Sequence, residues 1–175
     1  MKILKTKFKG VLKIYSKKKK DIRGYFVRGF CKKELKKKSI SFDIKQTNIS
    51  FNKKKGTFRG FHFQEKPFSE NKIINCFQGK ILLIVLDIDP KSKNYLNHIK
   101  FNLSSNDSFS FYVSKNYATA FLTMKNDTLI FYYMSEYFKR NKGRVIRFDD
   151  PKLKIKLPFK PKIISQKDKN FKFLG

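Results

Sequence analysis

Apolar residues in this chain recur mostly with the period of two that a half-buried strand needs, and seldom with the helical period. Ile44–Phe51 alternates, and Gly56–Gln64 is aromatic and extended. Lys80–Asp89 contains Ile-Leu-Leu-Ile-Val-Leu, a continuous apolar run that predicts a strand covered on both faces. Phe109–Val113, Tyr117–Met124, Thr128–Met134 and Arg144–Phe148 follow, rich in β-branched and aromatic residues. Ser-Asn-Asp, Lys-Asn-Asp and Asn-Lys-Gly turns separate them. Only Gly29–Lys38 offers a short helical pattern. Pro151, Pro158 and Pro161 predict an extended tail from Asp149 onward, packed on the outside. Many short strands at this spacing predict an all-β sandwich or barrel, built as a single domain over residues 1–175.

Composition supports a substantial core, with 20 Phe and 8 Tyr in 175 residues. No apolar run reaches the roughly 18–20 residues that span a bilayer. Lysines near the N-terminus have no continuous apolar segment behind them, so neither a secretory signal nor a membrane partner is expected. Cys31 and Cys76 lack any paired-motif spacing and read as free thiols of a reducing, cytoplasmic compartment.

A formal net charge of +29 raises nucleic acid, an anionic surface or an anionic small molecule as partners. The lysine runs 17–20, 36–38 and 53–55 are short and dispersed, and Lys, Ile, Asn and Phe are abundant together. Compositional drift is the simpler account of the charge, which would still attract a phosphate-bearing ligand. Lys and Arg interleaved with Phe and Tyr suit a strand-binding β-barrel. No RNA-binding signature is present, so nucleic acid is not the expected partner.

Candidate chemistry centres on Arg59-Gly-Phe-His-Phe-Gln64, which holds one of only two histidines. His62 and His98 lie far apart and no His-x-His pair exists, which argues against a metal site. Neither a Gly-rich phosphate loop nor a Gly-x-Ser-x-Gly elbow occurs. Proton-transfer groups remain. His62 is a candidate general base, and Tyr132 shares a strand face with Ile130 and Met134 as a candidate proton donor. Asp168 is a candidate orienting carboxylate, and Lys72 and Arg59 are candidate cations for a developing oxyanion or a phosphate. Taken alone, each has a structural reading as well.

These residues sit in an ordered set of motifs. Asp21-Ile-Arg-Gly-Tyr-Phe26, Gln46-Thr-Asn-Ile-Ser50, Lys55-Gly56, Arg59–Gln64, Lys72, Asp87, Asp149-Asp150-Pro151, Leu157-Pro158 and Ser165-Gln-Lys-Asp168 follow one another along the chain. The set resembles the dTDP-4-dehydrorhamnose 3,5-epimerase family of the cupin superfamily over residues 21–168. That resemblance implies a cupin-type jelly-roll barrel, a double-stranded β-helix with N- and C-terminal extensions, forming a homodimer without metal or cofactor. It implies epimerisation at C3 and/or C5 of a nucleoside-diphosphate 4-keto-6-deoxy sugar, in deoxysugar and surface-polysaccharide biosynthesis. His62 then matches the base, Asp168 its orienter, Tyr132 the acid, and Lys72 a residue near the keto oxygen. Arg23, Gln46, Asn48, Arg59 and Lys167 fall on substrate-binding positions, and Phe26 on an aromatic near the nucleotide.

Departures from the family pattern are also informative. The family commonly has Gly-Phe-Ala-His-Gly-Phe where this chain has Asn116-Tyr-Ala-Thr-Ala-Phe121, so a second histidine is Thr119 here. Its partner aspartate is Leu83, and two ligand-binding glutamates are Arg28 and Lys142. Losing both members of a buried pair together is coherent, because either charge left alone would be costly. These changes bear on the nucleotide base and on whether both carbons are inverted. A related sugar ketoisomerase needs two bases, which the missing histidine disfavours. Finally, strict alternation would put Arg59 and His62 on opposite faces, whereas the family has both in the pocket. A bulge or twist near Gly60 is therefore expected.

Overall fold

The computed structural model describes residues 1–175 and is built almost wholly of strands. In chain order they are β1 (Lys2–Lys5), β2 (Val11–Tyr15), β3 (Lys19–Asp21), β4 (Gly24–Phe26), β5 (Gln46–Asn52), β6 (Phe58–Gln64) and β7 (Lys72–Gln78). They continue with β8 (Lys80–Asp87), β9 (His98–Ser104), β10 (Phe109–Val113), β11 (Tyr117–Thr123), β12 (Thr128–Met134) and β13 (Gly143–Val145). Two short helices are α1 (Lys32–Lys36) and α2 (Gln166–Lys169). No helix is long and apolar enough to cross a membrane.

Two antiparallel sheets form a cupin-type sandwich. One has the order β1-β2-β10-β7-β12-β5 and the other β13-β6-β11-β8-β9. The strands β3 and β4 pair only with each other.

The apolar run of β8 explains how the layers are held. Ile81, Leu83 and Val85 point between the sheets, beside Ile74, Phe111, Val113, Phe121 and Ile130. Leu82, Ile84 and Leu86 point the other way, beside Phe58, Phe61, Ala118 and Leu122. The C-terminal tail covers this outer face with Leu153, Leu157, Phe159 and Ile164. A strand buried on both sides has no polar position to spare, hence the unbroken run. Each such side chain contributes roughly 1.5–3 kcal/mol when fully buried.

The other sheet is covered only in part. The segment around α1 seals one end of its outer face, packing Leu35, Ile40 and Phe42 on Ile14 and Ile73. Beyond it Ile49, Phe51 and Phe77 are exposed, and Phe77 lies 5.4 Å from Phe131.

Three local expectations are revised. The helix expected over Gly29–Lys38 shrinks to Lys32–Lys36, because Ser39 takes a left-handed backbone with φ of 58° that ends it. The tail is not extended throughout. It makes a 3-10 turn at Pro151–Leu153 and the helical turn α2, which the Ser165 hydroxyl caps by accepting from the Asp168 N–H at 3.1 Å. The last predicted strand is confined to Gly143–Val145. The expected irregularity at Gly60 is present. Thr119 pairs with His62 but Phe121 pairs with Arg59, so the register slips between them. Gly60 has φ of +116°, and a Cβ there would meet the Thr119 carbonyl at 2.5 Å and the Ala120 Cα at 2.7 Å. Glycine alone fits this close approach.

Candidate active site

A cavity of about 560 Å³ opens between the sheets. Its wall follows from strand alternation. Inward positions of β5 supply Gln46, Asn48 and Ser50, β7 supplies Lys72 and Ile74, and β12 supplies Tyr132 and Met134. Across the gap, β11 supplies Thr119 and Phe121, and the slipped β6 supplies both Arg59 and His62. Without the slip at Gly60, one of these two would face the opposite core.

His62 is the half-exposed member of a pair. Its Nε2 lies 2.8 Å from Asp168 Oδ1, with side chains 47% and 5% accessible respectively. The tail reaches the site because it is pinned to the start of β6, where Phe58 N–H donates to the Ile163 carbonyl at 2.8 Å. Asp168 Oδ2 also accepts from the Gly60 N–H at 3.3 Å. Burial pushes the Asp168 carboxyl up, but the His62 bond and charge, the Gly60 N–H and Ser165 outweigh it, and the net pKa is lowered. The carboxylate therefore stays ionised and accepts the Nε2–H. Nδ1, which has no protein partner, is left with the lone pair.

Tyr132 enters from the other sheet. Burial pushes its phenol well above the usual range, with Arg59 opposing and Cys76 reinforcing the shift. It remains protonated at neutral pH. Arg59 donates through Nε to Asn52 Oδ1 at 2.9 Å and lines the cavity. Gln46 Nε2 donates to Asn48 Oδ1 at 2.8 Å, and Gln46 Oε1 accepts from the Phe138 N–H at 3.0 Å. Lys167 also lines the cavity. Burial likewise pushes the Cys76 thiol up to about 11; Cys31 and Cys76 are both free.

The structure thus gathers His62, Asp168, Tyr132, Gln46, Asn48, Arg59, Lys72, Thr119 and Lys167 around one cavity, with Leu83 at its floor. Four expected binding residues lie outside it. Arg23, Phe26 and Arg28 belong to the β3–β4 hairpin and its exit, where Phe26 is 66% exposed and Arg23 pairs only with Asp21. Lys142 sits on the loop before β13 and does not itself line the cavity, although its neighbour Gly143 does. No three His, Cys, Asp or Glu side chains gather in a way that could hold a metal ion.

Glu70 escaped the sequence reading. It lines the cavity, is 5% accessible and lies 3.1 Å from Lys72 Nζ. The available signal was its spacing: Glu70 lies two residues before Lys72, the first residue of β7, and i and i+2 share a face in extended chain.

Fold and site together define a class: a cupin-type sandwich enzyme with a histidine–carboxylate pair and a protonated phenol on facing sheets. Residues 5–175 match the family model for dTDP-4-dehydrorhamnose 3,5-epimerase. A dTDP-4-dehydrorhamnose 3,5-epimerase of Sinorhizobium fredii is 31% identical over 149 residues, covering 85% of this chain and 76% of that protein. Among solved structures, the Bacillus anthracis dTDP-4-dehydrorhamnose 3,5-epimerase with TDP and PPi bound superposes with a TM-score of 0.95 at 28% identity, covering 99% of each chain. A Legionella pneumophila epimerase in complex with dTDP-4-keto-L-rhamnose gives 0.92 at 25% identity, covering 98% of this chain and 92% of that one. This chain belongs to the dTDP-4-dehydrorhamnose 3,5-epimerase family, and it is an isomerase.

Proposed function

We propose that the chain inverts C3, C5 or both in a nucleoside-diphosphate 4-keto-6-deoxy sugar. The observation that carries this is the His62–Asp168 pair facing a cavity whose other wall presents the protonated Tyr132. A ketone at C4 acidifies the hydrogens on both neighbouring carbons. His62 Nδ1 takes one of them, and the C–H electrons move into the ring while the carbonyl electrons move onto oxygen, giving an enolate. Asp168 stabilises the imidazolium and holds its tautomer. Tyr132 returns its proton to the same carbon from the opposite face, the enolate electrons form the new C–H bond, and the centre is inverted. The imidazolium then releases its proton to water and the phenolate takes one up, so nothing is consumed. Correct placement of base and acid is worth ~10²–10⁴-fold each.

Arg59 and Lys167 are suited to the diphosphate, as cations at the wall of a cleft in a strongly basic chain. Gln46, Asn48 and Phe138 suit the nucleoside. Leu83 and Thr119 stand at the positions of the family's second histidine–aspartate pair, which supports a narrowed scope at the reacting carbons.

The functional unit in this reading is a homodimer. An isolated two-stranded hairpin is marginal in water, and β3–β4 exposes Ile22, Tyr25 and Phe26. The uncovered patch of Ile49, Phe51, Phe77 and Phe131 is a natural seat for a second copy. Arg23, Phe26 and Arg28 are then available to the partner's cavity.

The test is incubation with a panel of nucleotide 4-keto-6-deoxy sugars, with products resolved by NMR. The reading expects an epimer of at least one of them. Unchanged substrates throughout, or a product whose keto group has moved, would overturn it.

A further inference from the structure

Lys72 is buried at the cavity wall, and its ammonium has three protons to donate. Three protein oxygens surround its Nζ: the His62 carbonyl at 2.9 Å, Thr119 Oγ1 at 3.1 Å and Glu70 Oε1 at 3.1 Å. The first two are hydrogen bonds and the third is an ion pair. The cation expected to meet the keto oxygen is therefore anchored from three sides by the protein.

The Thr119 oxygen accepts from Lys72, while its own O–H has no protein acceptor. The residue lies on the cavity face of β11 with Phe121, directly across the ladder from His62. A hydroxyl whose oxygen is held by an ammonium is polarised, and its proton becomes a stronger donor.

Glu70 neutralises the buried ammonium of Lys72 with one oxygen only. Its Oε2 is buried with no hydrogen-bond partner, a costly state for a carboxylate oxygen. Buried ion pairs are weak evidence for stability in general. A carboxylate that holds Lys72 in place for another group accounts for the arrangement.

We infer that Thr119 is the oxyanion donor of this site. Its hydroxyl carries the Lys72 charge to the substrate's developing enolate oxygen, with Glu70 as the positioning residue that holds Lys72 against Thr119. No proton changes hands in this contact. The C–H electrons end on the carbonyl oxygen, and the Thr119 O–H hydrogen-bonds the resulting charge. The inference rests on the epimerase reading above and assigns the group that stabilises its intermediate.

The test compares wild type with Thr119→Val, Thr119→Ser, Glu70→Ala and Glu70→Gln. The rate read is solvent deuterium entry into a nucleotide 4-keto-6-deoxy sugar. Thr119→Val keeps the shape and removes the donor. It should lower kcat by ~10²–10³-fold, the usual consequence of losing one oxyanion donor, while KM shifts little. Thr119→Ser restores the hydroxyl and should recover at least about tenfold of that loss. Glu70→Ala should lower kcat more than it alters KM. Glu70→Gln, which keeps an acceptor facing Lys72, should recover most of that deficit. A Thr119→Val enzyme with wild-type kcat would overturn the inference and leave the epimerase reading standing. So would a folded Thr119→Ser enzyme as slow as Thr119→Val. Wild-type protein that exchanges no proton in any such sugar would overturn the reading itself, and the inference with it.

Discussion

Replacing Asp168 by Asn removes one charge while keeping the side chain's size, and the structure shows why that change cannot be silent. The carboxylate accepts from both sides, from His62 Nε2 at 2.8 Å and from the Gly60 N–H at 3.3 Å. An amide has one oxygen to offer. If that oxygen faces His62, the amide N–H groups confront the Gly60 N–H inside the fold. If it faces Gly60, the amide donates to Nε2 and drives the imidazole proton to Nδ1, the nitrogen that must be free to act as base. Losing a hydrogen bond to a charged group costs about 1.5–3 kcal/mol. At 1.36 kcal/mol per tenfold, that is a roughly 10- to 150-fold fall in rate. A switched tautomer extends the loss toward ~10⁴-fold, as in a serine-protease triad with the same substitution. The assay is deuterium entry at C3 and C5 by NMR, with circular dichroism to verify folding. Asp168→Asn should lower kcat at least about tenfold, with KM changed less than about threefold. A folded variant with kcat within about threefold of wild type would refute the orienting role.

Three further outcomes follow from the same geometry. Tyr132→Phe should retain deuterium exchange at the carbon His62 addresses while epimer formation falls ~10²–10⁴-fold, since only the returning proton is lost; equal loss of both rates would contradict its role as acid. Gly60→Ala puts a Cβ 2.5 Å from the Thr119 carbonyl at a φ of +116°. It should destabilise the protein by about 2 kcal/mol or more, seen as a fall in Tm of at least ~4–8 °C, with activity reduced because Arg59 and His62 shift together. The lowered Asp168 pKa also carries a sign. Near pH 4 and below, the unfolded chain binds the proton more readily than the folded one, so the stability this carboxylate contributes is present above about pH 4 and lost as pH falls through the lower folded value. Urea unfolding between pH 6 and 3 should show a shallower decline for Asp168→Asn than for wild type.

Much of the fold was legible where burial writes a simple code. The unbroken run of β8 predicts a strand with a core on each face, and the alternation of β5 predicts its single inward side. The broken alternation at Gly60 was legible only because Arg59 and His62 were expected in one pocket. Strands β2 and β7 were missed for a physical reason. Lys13 interrupts the apolar pattern of β2, and β7 opens on Lys72 and is broken by Asn75. Lys13 lies over the Phe109 ring and Lys72 is neutralised by Glu70, two solutions that a linear pattern does not reveal. The helix that delivers Asp168 has four residues, too few for apolar positions to repeat at helical spacing, although its Ser165 cap was readable. Glu70 went unseen because an acid in a turn normally reads as a solvated charge. The hairpin motif Asp21–Phe26 was recognised, but its separation from this chain's own cavity depends on tertiary placement.

The central claim is that His62 removes a carbon-bound proton beside a ketone. Its most direct measurement is solvent deuterium incorporation into a nucleotide 4-keto-6-deoxy sugar, comparing wild type with His62→Asn. Wild type should exchange at C3, C5 or both, and the folded variant at neither. Substantial residual exchange by His62→Asn at any centre the wild type labels would show that another group is the base.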